Sequence, residues 1–160
     1  MLVVYDPSLG FTTGGGWFYW PGPAGQPPTT DKTNFGYTMK YNKKGENIQG
    51  SLLMIRHLSD GSGAIYRVKS NALDGLALSP ATSPYGYASF SGKSTYAAPG
   101  IDNKGGIAFK VYVEDNTEPG IGPDKFWIQV TNGLSMSSPG SGNAVSIKGG
   151  NIVVPHTNTK

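Results

Sequence analysis

Few residues in this chain carry the chemistry of a catalytic site. It has two histidines, His57 and His156, and no cysteine. The lack of cysteine excludes disulfides, thiolate metal sites and a cysteine nucleophile. His57 lies in "MIRHLSDGSG" at the end of an expected strand, and His156 sits on the last expected strand. A serine–histidine–aspartate set can be written on paper from His57, Asp60 and a serine. The G-x-S-x-G turn that presents a nucleophilic serine is missing, and "GSG" at 61–63 and "GSGN" at 140–143 read as loops. A glycosidase needs two carboxylates held a set distance apart. Asp6, Asp31, Asp60, Asp74, Asp102 and Asp115 stand in expected turns, where side-chain hydrogen bonding to the local backbone accounts for them. The reading is therefore non-catalytic, with a hydrolase placed third among the function classes.

Two other chemistries have more to draw on. The loop "EDNTEPGIGPD" offers Asp115, Asn116, Glu118 and Asp124, with carbonyls freed by its proline–glycine pairs. Calcium takes six to eight oxygens of this kind. The competing reading is a solvated acidic turn, and the spacing is not that of an EF-hand. The second chemistry is stacking of flat aromatic rings on sugars. Tyr112 and Trp127 fall on the outward side of an expected hairpin. In the run Trp17-Phe18-Tyr19-Trp20, alternation sends Trp17 and Tyr19 one way and Phe18 and Trp20 the other. One of these two pairs must face out or be covered by the Pro-rich loop over 21–28. The expected glycan- or partner-binding residues are thus Tyr112, Trp127, Tyr19 and Trp20. The competing reading has these rings covering glycine backbone or meeting a neighbouring module.

The elements that position these residues are strands. Gly 24, Pro 12 and only 14% charged residues suit many short strands joined by turns. Helical periodicity is absent, and alternation predicts strands over 2–5, 11–20, 35–42, 51–58, 64–70, 85–96, 106–114, 125–131, 144–148 and 151–155. With Glu114 placed opposite Lys125, Val113 meets Phe126, Val111 meets Ile128 and Phe109 meets Val130 on one side. Tyr112 then meets Trp127, and Lys110 meets Gln129, on the other. The fold class is all-β, a sandwich or flattened barrel of about eight to ten antiparallel strands in one domain over 1–160.

"GFTTGGGWFYWPG" joins three glycines to four aromatics. A phosphate loop needs a helix after its glycines, and here a strand follows. Such a run marks a bulge, a bend or a close approach by a neighbouring backbone or ring. Valine at Gly15 is expected to destabilise the fold.

These pieces come in a familiar order. "YDPSLGFTTGGGWFYWPGPAG", "TNFGYTMKYNKKG", "YASFSGKSTY", "GGIAFKVYVEDNTEPGIGPDKFWIQV" and "GGNIVVPH" together resemble a β-rich module of secreted bacterial multidomain proteins, the post-choice-of-anchor domain. The likeness runs from Tyr5 to His156. It departs over 51–79, which lacks a Phe-rich strand, and in the Pro-rich loop over 22–31. The resemblance implies a secreted or cell-surface location beside immunoglobulin-like or cadherin-like repeats and cell-wall anchors, and it implies no activity.

The chain has a net charge of +3 and its lysines are scattered, Lys43-Lys44 being the one doublet, so no nucleic-acid partner is expected. No apolar run approaches the length a membrane helix needs. Residues 1–5 are too short for a signal peptide, and Met1 directly before a strand-like segment reads as an added start on an excised domain. Expected partners are polysaccharide or neighbouring domains. The runner-up reading is a self-assembling surface or fibre subunit, or a spacer, joined through edge strands, with 2–5 as a donor strand.

Overall fold

The computed structural model describes residues 11–21, 29–41, 48–79, 86–116, 124–131 and 144–154. Of these, 79% are strand and none is helical. The strands are β1 (Phe11–Tyr19), β2 (Lys32–Tyr41), β3 (Ile48–His57), β4 (Ile65–Leu78), β5 (Gly86–Ala98), β6 (Ile101–Asp115), β7 (Lys125–Val130), β8 (Val145–Ser146) and β9 (Gly149–Val153). The expected strand over 2–5 lies outside the described residues. The fold class is therefore the one expected, all-β and antiparallel, in one strongly curled sheet.

The strand order is β8-β7-β6-β5-β4-β3-β2-β1-β9. A meander of consecutive neighbours runs from β1 to β7, as expected where tight turns join strands. The last two strands do something else. β8 and β9 are separated in sequence by Ile147 and Lys148 alone, yet they stand at opposite ends of the order. The two ends of the sheet must therefore meet at those residues. The Ile147 amide donates to the Asp124 carbonyl just before β7 (2.9 Å), and the Lys148 amide donates to the Trp17 carbonyl on β1 (2.8 Å).

The β6–β7 hairpin has the register read from its alternation: Glu114 pairs Lys125, Tyr112 pairs Trp127 and Phe109 pairs Val130. β4 runs on to Leu78, past the end expected at residue 70. Register shifts at Ser70/Ala72 and Leu73/Gly75 break its alternation, so the second half does not look like a continuation.

Side chains of one parity fill the concave side. Phe18, Phe35, Tyr37, Met39, Leu52, Met54, Val68, Phe90, Phe109, Val111, Val113, Phe126 and Ile128 are all buried there. Phe126 of β7 stacks on Phe35 of β2 (4.4 Å between centroids) and tilts against Phe18 of β1 (5.5 Å), so the aromatics bridge the curl from side to side. Burying a ring of this size contributes about 2–3 kcal/mol.

The glycine triplet belongs to this closure. A Cβ on Gly16 would lie 2.1 Å from the Gly149 carbonyl oxygen, and one on Gly14 would lie 2.9 Å from the Tyr37 ring. The bare backbone lets β9 and an aromatic from β2 come close, as expected of glycines in a strand. The close approach falls on Gly14 and Gly16 rather than on Gly15, where a Cβ meets nothing nearer than the Phe35 carbonyl oxygen at 3.5 Å.

Candidate functional site

Three of the four loop residues expected to hold calcium, Asp115, Asn116 and Asp124, lie beside the seam where the sheet closes. Glu118 is outside the described residues. Asp115, Asn116 and Asp124 are buried, at 2%, 7% and 5% exposure, so the alternative of a solvated turn is corrected for these three. Asp124 accepts the Asn116 amide on Oδ1 (2.7 Å) and the Ile152 amide on Oδ2 (2.7 Å). Asp115 Oδ2 accepts the Val154 amide (2.9 Å). Ile152 is in β9 and Val154 directly follows it, and both amides face away from β1. The carboxylates thus stand where the next strand's carbonyls would be. Beside them, Thr12 donates to the Val153 carbonyl (3.0 Å), so its oxygen is left to accept from the Tyr37 hydroxyl (3.0 Å). Burial pushes the Tyr37 phenol well above its usual range, and the charges of Asp115 and Asp124 push the same way. Among the described residues, no three carboxylates, histidines or cysteines are grouped to hold a metal.

The expected aromatic residues divide. Tyr112 and Trp127 are on the outer side of the hairpin, as the register requires. The expectation that they form an open surface is corrected for Trp127, which is 1% exposed, and Tyr112 is half-buried. The cover over Trp127 is supplied by this chain itself. The Tyr112 hydroxyl donates to Glu114 Oε2 (3.0 Å). Trp20 is also corrected: it points inward at 5% exposure, stacks on Phe18 and lies beneath the Arg56 guanidinium at 5.0 Å. Arg56 is held by Asp31 through Nη2 (2.6 Å) and Nε (2.8 Å). Burial pushes the Asp31 carboxyl up, but hydrogen bonds from Ser59 and Arg56 outweigh it and hold the group below its usual 3.8. His57 is exposed at the end of β3, and His156 is outside the described residues.

Tyr19 alone of the four is open, at 39%. Its neighbour is Trp17, the other outward residue of β1, 5.4 Å away edge to face. Alternation already split these pairs, but it carried no sign for which pair faces in. That sign comes from the inward partners Phe35 and Phe126, which are remote in sequence. Lys32 lies over the Trp17 ring at 4.8 Å. One edge of the ring rests on Gly149, where a Cβ would stand 2.5 Å from Nε1.

Beside Trp17 the outer surface drops. Gly15 and Gly36 pair across β1 and β2, and a Cβ on Gly36 would meet nothing within 4 Å. The depression holds about 440 Å³ between Trp17, Asn34, Gly36, Leu53 and Ile55. A second one of about 430 Å³ continues past Leu53 to Thr38, Ser51 and Lys69. Leu53 is 43% exposed; it and Tyr19 are the exposed large apolar side chains among the described residues, and both lie on this face. A further cavity of about 350 Å³ near Lys93, Tyr96 and Lys104 lies apart from it. None of the expected site residues except Tyr19 is on the glycine-floored face.

No family model matches this chain, and no curated protein or solved structure matches it either.

Proposed function

We propose that this chain is a non-catalytic extracellular β-module that holds a polysaccharide against the outer face of β1, β2 and β3. The observation that carries the reading is the coincidence on one face of Trp17, Tyr19 and Leu53 with the glycine-floored groove. Exposed apolar side chains gathered on one rigid sheet mark a contact surface. A groove with bare backbone at its floor admits a flat ring, and Trp17 supplies a wall against which the C–H side of a sugar can stack. The resemblance to the post-choice-of-anchor module supports a secreted or cell-surface setting. The self-assembly alternative draws less support. The amides of Ile152 on β9 and of Val154 just after it, which an added strand would use, already donate to Asp124 and Asp115.

The test is retention on insoluble polysaccharides, compared between the wild type and Gly36→Leu. A side chain at Gly36 enters open space, so the fold should survive while the groove fills. Retention that is lost with an unchanged melt supports the reading. Equal retention removes the groove from it.

A further inference from the structure

The groove has a charge that its sequence did not advertise. Outward positions follow from the pairings. On β1 they are Phe11, Thr13, Gly15, Trp17 and Tyr19; on β2, Lys32, Asn34, Gly36, Thr38 and Lys40. On β3 they include Ser51, Leu53, Ile55 and His57, and on the first part of β4, Ile65, Arg67 and Lys69. Among the described residues, that surface carries Lys32, Lys40, Arg67 and Lys69 and no carboxylate. The lysines are far apart in sequence, so no basic run marks them; the meander brings them together.

The acids among the described residues stand elsewhere. Asp31 faces inward to Arg56, and Asp115 and Asp124 are buried on backbone amides. Glu114 and Asp74 stand on other parts of the sheet, where they hydrogen-bond Tyr112 and Ser91. Asp60 binds the amide of Ser62 within its own turn. Among the described residues Arg56–Asp31 is the one ion pair, so Lys32, Arg67 and Lys69 hold no carboxylate.

Their placement relative to the groove is specific. Lys69 pairs with Leu53, and Leu53 pairs with Gly36, so Lys69 stands two strands from the groove floor, about 10 Å away. Lys32 lies four residues along β2 from Gly36, about 13 Å away, and rests over the Trp17 ring. A cation thus flanks the groove at each end, and one of them already sits where a stacked ring would bring a substituent. Surfaces recognise polymers by complementary charge as well as by shape.

From this juxtaposition we infer that the polysaccharide is anionic: a carboxylate-bearing, uronic-acid glycan whose rings lie along the groove and whose carboxylates meet Lys32 and Lys69. The inference rests on the polysaccharide reading above and names its substrate class.

The test uses the whole chain and soluble polymers of known charge: polygalacturonate, alginate and hyaluronan, with carboxyl-reduced polygalacturonate as the neutral form of the same backbone. Binding is followed by calorimetry at low and at moderate salt. At least one of the polyuronates should bind, weaken as salt rises, and lose ten-fold or more in the Lys32→Glu/Lys69→Glu double variant. The Lys104→Glu/Lys110→Glu double variant has the same net charge, alters exposed lysines on β6, two strands beyond β4, and should bind as the wild type does. Carboxyl reduction should cost polygalacturonate ten-fold or more if that polymer is the one bound. Equal loss in both double variants reduces the effect to general basicity and overturns the inference. Binding of neutral polymers as strong as that of the polyuronates overturns it but leaves the polysaccharide reading standing. Failure of every polysaccharide, charged or neutral, removes that reading itself. Tighter binding of oligothymidylate than of any polyuronate replaces the glycan with a single-stranded nucleic acid and overturns both.

Discussion

The outer faces of β6–β7 and of β1–β3 both carry neighbouring large aromatic side chains. Tyr112 and Trp127 pair across one, and Trp17 and Tyr19 stand two residues apart on the other. The first is covered, with Trp127 at 1% exposure, and the second is open, with Tyr19 at 39%. Register decides the side of a sheet on which a residue stands. It does not decide whether more chain lies over that side. The two faces differ also in their polar neighbours. Next to β7, Asp115 and Asp124 are buried as acceptors for backbone amides, whereas β2 and β4 present Lys32 and Lys69 at the surface.

The contrast is tested most severely at Trp127. Replacing it with alanine removes a fully covered ring and should cost about 3–5 kcal/mol, read by chemical denaturation. A change below 1 kcal/mol would mean that this face is open after all. At the seam, Asp124→Ala strips the acceptors from two buried amides, those of Asn116 and Ile152, and should cost about 2–4 kcal/mol in the same measurement. Asn at this position keeps one acceptor oxygen and should recover part of the loss. Near the open face, Gly16→Ala should cost about 1–3 kcal/mol through its clash with Gly149, while Gly15→Ala should cost far less. Equal losses would show that the two glycines share one role.

Smaller again is the effect of acid on Asp31. Its folded pKa is depressed, so its contribution is fully present above the usual 3.8 and is lost as pH falls through the folded value. Melts from pH 7 downward should show that loss, and Asp31→Asn should flatten it. A wild type and variant with parallel pH profiles would contradict the assignment. The smallest effect is at Tyr19, where alanine should change stability by less than about 0.5 kcal/mol. A larger loss would show that Tyr19 is packed, and the difference between the two faces would then disappear.

How much of this was legible in the sequence varies by element. The hairpin register was, because alternation runs unbroken through 106–114 and 125–131 and both charges and rings agree with it. The second half of β4 was hidden by its bulges. The glycine triplet could be read as a device for close approach, but Gly14 and Gly16 could not be told from Gly15, since the partners Tyr37 and Gly149 come from distant strands. An aspartate that caps a remote strand looks the same in sequence as one that caps its own turn, so the roles of Asp115 and Asp124 were out of reach. The cationic face was likewise invisible, because it exists only once β1 to β4 are laid side by side.

The pairing of β1 with β9 has one more consequence. The strands are antiparallel, with Thr13 opposite Val153 and Trp17 opposite Gly149. The backbone therefore arrives at Phe11 and departs at Val154 on the same side of the sheet. Tension applied at those two points loads the Thr13–Val153 pair first and then each pair in turn, so the strands peel rather than slide. Peeling breaks hydrogen bonds singly, where sliding must break them together, and the glycines along this pairing offer little interlocking of side chains. Under load this seam yields first, and the meander from β2 to β7 is left to give way after it.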